Sequence, residues 1–396
     1  MKEAVRPRTD ARADGKADVI VVGAGIVGAA CAHELAAAGA QVLVLERAGI
    51  GGGVTAAGMG HLVVMDDSRA EFALSAWSRQ LWNELGPRLD ARHAFVRCGT
   101  LWVAEDDEEL ALARGRQQAL VRDGIACEML DARQLRAAEP ALREGLRGGM
   151  RVPDDGVVYA PAVAAWLLAH PVAGRISTRV DACVESVTRG GVRLAGGATL
   201  AAGAVVIANG LEASALLPGL PLQAKKGHLL ITDRYPGTVR HQILELGYIK
   251  SAHNASGTSV AFNVQPRPTG QLLIGSSRQF DSAAPGIDAA VLARMLARAV
   301  HYMPGLAGLN AIRAWTGLRP ATVDGLPLIG PAAHFAGDGA HRSLWLATGH
   351  EGLGVTTALA TGKLIAAQIM GTTAPIDAAP YLPGRFAQPR TEAAHA

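Results

Sequence analysis

Two short apolar runs near the start of the chain enclose a stretch with helical periodicity. Val19–Val22 is an uninterrupted apolar run, and residues 41–46 (QVLVLE) hold a second one. Runs without alternation are typical of parallel strands that are buried on both faces. Between them, Ala30, Cys31 and Leu35 recur at the spacing of one helix face. The pattern therefore predicts a strand, a helix and a second strand within about 30 residues.

Further along the chain, helix-like and strand-like patterns occupy different regions. Apolar residues recur at helical spacing in six more stretches, whereas residues 226–278 hold four short strand-like runs. Residues 177–188 and 192–194 predict a small antiparallel sheet. The predicted helices are 69–85, 106–122, 131–138, 157–169, 287–303 and 355–370, and further strands are predicted at 95–104 and 204–208.

Length and composition narrow the class of protein. At roughly 150 residues per domain, 396 residues predict two or three domains. Apolar residues make up 49% and charged residues 18%, so a large core can form and a disordered chain is excluded. The net charge is only +3, the basic residues are scattered, and aromatic residues make up 4%. This pattern is not that of a nucleic-acid-binding surface.

The ends of the chain and its cysteines give expectations about location. Residues 1–17 alternate in charge and lack the apolar stretch of a signal peptide, so they predict a disordered leader. No uninterrupted apolar run reaches the roughly 20 residues that span a bilayer. We therefore expect a cytoplasmic protein without a membrane span. The four cysteines are Cys31, Cys98, Cys127 and Cys183, and they form no CxxC pair. Since the sequence also holds no HExxH motif and no carboxylate cluster, neither a metal site nor a disulfide scaffold is expected.

A dinucleotide-binding fingerprint lies between the first predicted strand and helix. Gly23, Gly25 and Gly28 form GxGxxG, enclosing Ile26 and Val27. The first glycine permits a tight turn, the second lets a pyrophosphate approach the backbone, and the third allows close packing. Glu46 ends the second strand, 21 residues after Gly25, where an acid can hold ribose hydroxyls. The alternative is an ordinary glycine-rich turn, and the fingerprint alone does not separate NAD from FAD.

Six motifs together resemble the glycine oxidase and D-amino-acid oxidase superfamily of FAD-dependent amine oxidoreductases. The resemblance extends from Val19 to about Met370. Within the superfamily, residues 58–67 and 349–363 are most similar to bacterial D-hydroxyproline dehydrogenases, and also to flavin subunits of opine and cyanide-forming glycine dehydrogenases. The motifs are GAGIVG at 23–28, Glu46-Arg47, GGGVTAAGMG at 51–60, AVVIANG at 204–210, GLRPATVDGLPLIG at 317–330 and ATGHEGLG at 347–354.

The resemblance implies FAD as cofactor and assigns further residues to it. The small residues of 51–58 leave room for the backbone beside pyrophosphate and flavin, with Thr55 able to bond a phosphate oxygen; the alternative is a flexible surface loop. Val184 matches a strand that contacts adenine through its backbone. Residues 349–355 lead into the last helix, whose positive end faces the flavin pyrimidine edge, or they are only a cap with close packing. The implied cofactor residues also include Arg47, Gly53, Ala57, Gly58, Met59, Asn209, Gly210, Gly349, Gly352, Leu353, Gly354 and Val355.

The resemblance also implies a carboxylate-binding site. Arg319 matches the family arginine that clamps the substrate carboxylate, although it could instead cap a turn before Pro320. Tyr248 matches a tyrosine that touches the same carboxylate, but a plain sheet tyrosine fits nearly as well. Glycine oxidase carries an arginine at the position of Gly352, so its absence here argues against glycine as substrate.

Three further side chains are candidates for the substrate pocket. His350 is a catalytic candidate that lines the pocket or bonds the backbone, and Glu351 lies beside it. His61 follows the small-residue loop and lies near the flavin ring or is a satisfied core or rim histidine.

These observations predict an α/β protein with two domains. A Rossmann-type FAD-binding domain is expected over 18–60, 150–224 and 311–372. An inserted α+β substrate domain on a mainly antiparallel sheet is expected over 61–149 and 225–310, with a loose tail at 373–396.

The expected function is that of an FAD-dependent D-amino-acid dehydrogenase or oxidase. It oxidises the CH–NH bond of a small amino or imino acid by hydride transfer to flavin N5, and D-hydroxyproline is the preferred substrate. Alternatives are glycine, sarcosine or opine oxidation, or a flavin subunit that mainly relays electrons within a complex. Possible partners are dehydrogenase subunits or an electron acceptor. A simple NAD-binding module is disfavoured by the C-terminal motifs.

Overall fold

The chain divides into two compact units, each built from separated segments. Unit 1 comprises Met1–Gly52, Ala164–Gln223 and Pro320–Ala396, and unit 2 comprises Gly53–Val163 and Ala224–Arg319. The computed structural model describes residues 16–65, 67–170, 174–247, 257–280, 282, 284–332, 335 and 343–386.

Helices and strands alternate along the described residues. The helices are α1 (Ile26–Ala37), α2 (Gly53–Ala57), α3 (Arg69–Leu85), α4 (Asp107–Arg122), α5 (Ala132–Ala138), α6 (Ala160–Ala169), α7 (Ala213–Leu216), α8 (Ala289–Tyr302) and α9 (Gly354–Met370). Short 3-10 turns lie at Gly86–Arg88, Ala91–His93, Gly210–Glu212, Pro304–Gly308, Glu351–Leu353, Ala379–Tyr381 and Pro383–Phe386. The strands are β1 (Lys16–Val22), β2 (Val42–Leu45), β3 (His61–Leu62), β4 (Thr100–Ala104), β5 (Glu128–Asp131), β6 (Gly148–Val152), β7 (Gly156–Val157), β8 (Ile176–Arg179), β9 (Val184–Thr188), β10 (Gly191–Leu194), β11 (Thr199–Ile207), β12 (Leu222–Arg234), β13 (Gln242–Glu245), β14 (Thr258–Pro266), β15 (Gln271–Gln279), β16 (Ala311–Thr322), β17 (Leu328–Pro331) and β18 (Leu344–Thr348).

Unit 1 is built on a sheet whose central strands are parallel. The order is β17-β18-β11-β1-β2-β8, with β10 and β9 attached to β11 as an antiparallel hairpin. Val21 pairs with Val206 on one side and with Val44 on the other. These strands are apolar throughout because helices cover both faces of such sheets. Helix α9 packs against α1 so closely that a Cβ added at Gly362 would lie 2.6 Å from the Ala30 carbonyl oxygen.

Unit 2 is built on a mainly antiparallel sheet. The order is β16-β12-β15-β14-β13-β4-β6-β5, and only the β13–β4 pairing is recorded as parallel among the described strands. Helix α8 covers one face, where Met295, Tyr302 and Phe262 lie in one buried cluster. The α/β fold with a second, mainly antiparallel sheet agrees with the prediction from the sequence.

Two predicted segments have a different structure. Residues 177–188 do not form one antiparallel strand: β8 pairs in parallel with β2, whereas β9 pairs antiparallel with β10. Asp181, with φ +55°, lies in the turn that separates β8 from β9. Residues 51–58, for which a flexible surface loop was the alternative, contain the one-turn helix α2. Residues 1–15 of the predicted leader lie outside the described residues, and residues 16 and 17 already belong to β1.

The unit boundaries differ from the predicted domain boundaries. Residues 53–60, 150–163 and 311–319 were expected in the FAD-binding domain but cluster with unit 2. One reason lies in side-chain contacts: the Trp315 indole N–H donates to the Ala57 carbonyl at 3.1 Å.

The C-terminal segment differs from the sequence expectation of a loose tail. In the predicted loose tail, residues 373–386 are packed, since Tyr381 is 1% exposed and Arg385 Nε donates to Asp324 at 2.7 Å. Among the described residues, one helical stretch, α9 together with the 3-10 turn before it (Glu351–Met370), is long and apolar enough to span a bilayer. Length and composition alone define such a helix, and 56% of its most apolar stretch is buried inside the fold.

Candidate functional site

The glycine fingerprint of unit 1 forms a tight turn between β1 and α1. Gly23 has φ +103°, and a Cβ there would lie 2.8 Å from the Ala208 carbonyl oxygen. A Cβ at Gly28 would lie 2.0 Å from the Gly23 carbonyl oxygen, so the helix lies directly against the turn. Gly25 is the N-cap of α1 and supplies no capping side chain. Ile26 is buried and Val27 is half-buried in the first turn. The positive end of α1 is therefore suited to an anionic ligand.

Glu46 lies beside this turn with a fixed carboxylate. Its Oε2 accepts from the Ala24 N–H at 2.8 Å, and its Oε1 accepts from the Ala48 N–H at 2.9 Å. Each oxygen keeps a further lone pair for a hydroxyl donor, as the predicted ribose role requires. Arg47 pairs with Glu212 at 3.2 Å, with both side chains more than half exposed. Such an exposed pair contributes little stability.

Asn209 places an unpartnered acceptor near the end of β11. Its buried Oδ1 has no hydrogen-bond partner among the described residues. Burying an acceptor without a donor costs about 1–3 kcal/mol, which points to a donor supplied by a ligand. The next residue, Gly210, accepts from the Thr348 hydroxyl at 3.0 Å through its carbonyl. Val184 begins β9 and is half-buried.

The start of α9 follows a turn of unusual backbone conformation. Gly349 has φ +80°, and a Cβ there would lie 2.9 Å from Thr322 Cγ2. Glu351 has φ +48°, a left-handed conformation that is uncommon for a residue with a side chain. The N-cap, Leu353, provides no capping side chain, and the first turn holds no acidic residue. Gly352, Gly354 and Val355 complete this segment, whose helix dipole favours negative charge.

His350 is buried in unit 1 rather than presented as a proton-transfer group. The residue is only 5% exposed, and its Nε2 lies 3.0 Å from the Thr361 hydroxyl oxygen. Burial lowers the pKa of His350 to about 3. The ring is therefore neutral at pH 7 and bonds a side-chain hydroxyl, not the backbone that the sequence reading offered. This placement argues against the predicted catalytic role.

Unit 1 thus fits the adenosine diphosphate portion of FAD. The glycine turn, the uncapped start of α1 and the Glu46 carboxylate are features that bind a dinucleotide. The unpartnered Asn209 Oδ1 is a further acceptor in the same unit.

In unit 2, the small-residue segment lies on one face of the sheet. A Cβ at Gly317 would lie 2.8 Å from Ala57 Cβ, so β16 and α2 approach closely. Met59 packs with Leu229 and Leu273. The Arg267 guanidinium donates to the Met59 carbonyl. The segment is therefore a fixed support and not the flexible surface loop that the sequence left open. Gly53 has φ +55°, Thr55 is buried, Gly58 is half-buried, and half-buried His61 begins β3 opposite Val157.

Arg319 lies across the sheet of unit 2. Its side chain starts from β16, passes over β12 at Gly227 and donates from Nη1 to the Ser277 carbonyl on β15 at 3.1 Å. Among the described residues, no carboxylate forms an ion pair with this half-buried guanidinium. A guanidinium without a protein counter-charge is suited to a carboxylate ligand, which it can bind bidentately.

His228 is a neighbour of this site that sequence reasoning missed. It is fully buried, and its Nε2 accepts from the Asp288 N–H at 2.9 Å. Nδ1 therefore carries the hydrogen and donates to Ser277 Oγ at 2.9 Å. Burial, followed by the nearby charge of Lys226, lowers the pKa of His228. The sequence signal was a histidine directly after a strand glycine, which has no specific meaning before folding.

Tyr248 lies outside the described residues. In the part of the chain that the structure describes, no group of three or more potential ligands could hold a metal ion. All four cysteines are free thiols.

Comparisons with known proteins place this geometry in a wider context. A family model described as FAD dependent oxidoreductase matches residues 18–368. A glycine oxidase of Pseudomonas putida is 30% identical over 382 residues, covering 92% of this chain and 98% of the relative. Hydrogen cyanide synthase subunit HcnC of Pseudomonas aeruginosa is 28% identical over 420 residues, covering 93% and 96%. The crystal structure of glycine oxidase from Geobacillus kaustophilus has a TM-score of 0.80 at 28% identity, covering 93% and 98%.

Proposed function

Because the chain belongs to the family of FAD-dependent oxidoreductases, as an amine or amino acid oxidoreductase, we propose that its substrate is a small cyclic D-imino acid. D-Hydroxyproline is the preferred candidate. The proposal rests chiefly on Arg319, whose guanidinium is half-buried, lacks an acidic partner among the described residues and is suited to an α-carboxylate.

Arg319 is assigned the task of orienting the substrate. A bidentate pair with the carboxylate fixes the direction of the adjacent α-carbon and its hydrogen. When bound, FAD supplies the two-electron acceptor for the hydride that leaves this carbon. The substrate nitrogen loses a proton to water, and the C–N single bond becomes a C=N double bond. The hydride that leaves the carbon and the proton that leaves the nitrogen account for the two electrons and the charge, so the step needs no protein nucleophile.

The preference for a ring rests on Gly352. The resemblance to glycine oxidase implies an arginine at this position, and glycine, which has no side chain, would leave more room for a ring or an N-substituent. Gly352 does not have a positive φ, so its backbone is compatible with other residues. This makes the position testable by substitution.

The test is a comparison of kcat/KM for D-hydroxyproline, D-proline, their L-enantiomers, sarcosine and glycine with an artificial dye. We expect the cyclic D-compounds to exceed glycine by at least about tenfold, which corresponds to about 1.4 kcal/mol. Gly352→Arg is expected to lower kcat/KM for the cyclic compounds more than for glycine. Glycine as the best substrate of the unaltered protein contradicts the proposal.

A second candidate is a flavin subunit that works mainly within a complex. It is favoured by the similarity to HcnC, which is named as a subunit of hydrogen cyanide synthase. The isolated chain distinguishes the two candidates. The subunit role is contradicted if the chain alone reduces the dye and the addition of a purified partner subunit does not raise the rate.

A further inference from the structure

The path of the Arg319 side chain depends on a gap in the neighbouring strand. A Cβ added at Gly227 would lie 2.6 Å from Nη2, 2.9 Å from Cζ and 3.0 Å from Nη1 of Arg319. The guanidinium therefore lies flat against the Gly227 backbone. No other residue type leaves this space without moving the charged group, because every other residue has a Cβ.

The end of this path is held by a second contact between the same strands. Ser277, whose carbonyl accepts from Arg319, is 1% exposed. Its Oγ accepts from the His228 backbone N–H at 2.9 Å and lies 2.9 Å from His228 Nδ1. The other ring nitrogen of His228 accepts from the Asp288 N–H at the start of α8, which fixes the orientation of the ring.

We propose that Gly227, His228 and Ser277 are positioning residues that aim Arg319 at a substrate carboxylate. Gly227 provides the space, and His228 holds Ser277 so that its carbonyl fixes one edge of the guanidinium. Among the described residues Arg319 donates a hydrogen bond from Nη1 alone, which leaves Nη2 and Nε available to a ligand. This inference rests on the proposed function, since it assumes that Arg319 binds the carboxylate. It adds that selectivity for carboxylates is set by residues that do not touch the substrate.

The test compares two ligands that differ only in charge at one group. Pyrrole-2-carboxylate carries the carboxylate, and pyrrole-2-carboxamide is its neutral analogue. The dissociation constant of each is measured from the change in flavin absorbance of the FAD-loaded protein, which needs no turnover. The variants are Gly227→Ala, Ser277→Ala, His228→Leu and His228→Asn, with Gly305→Ala as control. Gly305 is an exposed glycine of unit 2 at which a Cβ would meet nothing within 4 Å.

We expect Gly227→Ala, Ser277→Ala and His228→Leu to weaken carboxylate binding by about tenfold or more, because the loss of one well-aligned charge-assisted hydrogen bond has an effect of this size. Carboxamide binding should stay within about twofold. His228→Asn should recover most of the affinity, since its amide can still donate to Ser277 Oγ. Gly305→Ala should behave as the unaltered protein. Equal weakening of both ligands, or unchanged carboxylate binding in all three disruptive variants, overturns the inference.

Arg319→Ala separates this inference from the proposed function. If Arg319→Ala weakens carboxylate binding but the three disruptive variants do not, only the positioning role fails. If Arg319→Ala leaves carboxylate binding unchanged, or if the FAD-loaded unaltered protein binds neither ligand, the assignment of Arg319 in the proposed function fails and the positioning role fails with it.

Discussion

At the scale of single residues, burial sets the charge of His350. Its pKa of about 3 in the folded protein compares with 6.5 for an ordinary histidine. Between these values, the unfolded chain takes up a proton that the folded protein does not, so the free energy of unfolding falls as the pH falls. The loss is about 1.4 kcal/mol per pH unit, or about 2 kcal/mol at pH 5.

The variant His350→Gln tests this, because glutamine can still bond the Thr361 hydroxyl and does not titrate. The free energy of unfolding of the unaltered protein should fall by about 2 kcal/mol more than that of the variant when the pH is lowered from 7.5 to 5. Urea unfolding with saturating FAD at both pH values measures the difference. His170→Gln, which replaces an exposed histidine, is the control. Equal responses of the two variants contradict the buried, neutral state of His350.

Residues defined by a local motif could be predicted from the sequence, and those defined by folding could not. The glycines at 23–28 and the acid Glu46 are fixed by spacing within one β-α-β unit, and the structure brings them together. Ser277 and His228 are 49 residues apart and meet only when β12 and β15 pair. No periodicity in either strand indicates that contact.

At the scale of elements, the approach of α1 to its turn depends on Gly28. A methyl group at this position would lie 2.0 Å from the Gly23 carbonyl oxygen, so Gly28→Ala must displace the helix. Overpacking of this kind costs about 1–3 kcal/mol. Because this overpacking destabilises the conformation that binds the nucleotide, we expect the dissociation constant for FAD to rise by about tenfold or more.

The measurement is FAD content per chain after purification, with far-ultraviolet circular dichroism to establish folding. Gly190→Ala is the matched control in unit 1, since a Cβ there would meet nothing within 4 Å. A folded Gly28→Ala protein with full flavin occupancy contradicts the packing argument.

Long helices with a sustained helical pattern in the sequence were the most predictable elements. The predicted helix 69–85 coincides with α3, and 355–370 differs from α9 by one residue. The prediction for residues 177–188 was wrong because the sequence pattern of short, half-buried strands does not indicate which strand each of them pairs with. In the structure β8 pairs in parallel with β2, and the turn at Asp181 separates β8 from β9.

At the scale of the whole molecule, the C-terminal segment completes unit 1. Leu382 lies over Gly330, where a Cβ would approach its Cδ2 to 2.7 Å, and Tyr381 is almost fully buried. A chain that ends at Thr373 loses these contacts and the Arg385–Asp324 pair. We expect a loss of at least about 3 kcal/mol, the usual result of removing one large buried side chain.

A chain that ends at Phe386 is the control, because it keeps every contact described for this segment. Urea or thermal unfolding of the FAD-loaded proteins measures the difference. If the chain that ends at Thr373 unfolds at the same midpoint as the control, these contacts do not stabilise unit 1.

The pairing of β1 with β11, and of β11 with β18, has a consequence for synthesis. Val21 pairs with Val206, and Val206 pairs with Trp345. A nascent chain leaving the ribosome therefore carries its glycine fingerprint and β2 for about 150 residues of synthesis, as far as Thr199, before β11 exists to pair with the other side of β1. The sheet beneath the fingerprint is complete only after Thr348 has emerged. Such long-range pairing slows folding and leaves apolar strands exposed meanwhile. The first motif to be made thus belongs to one of the last parts of the molecule to be finished.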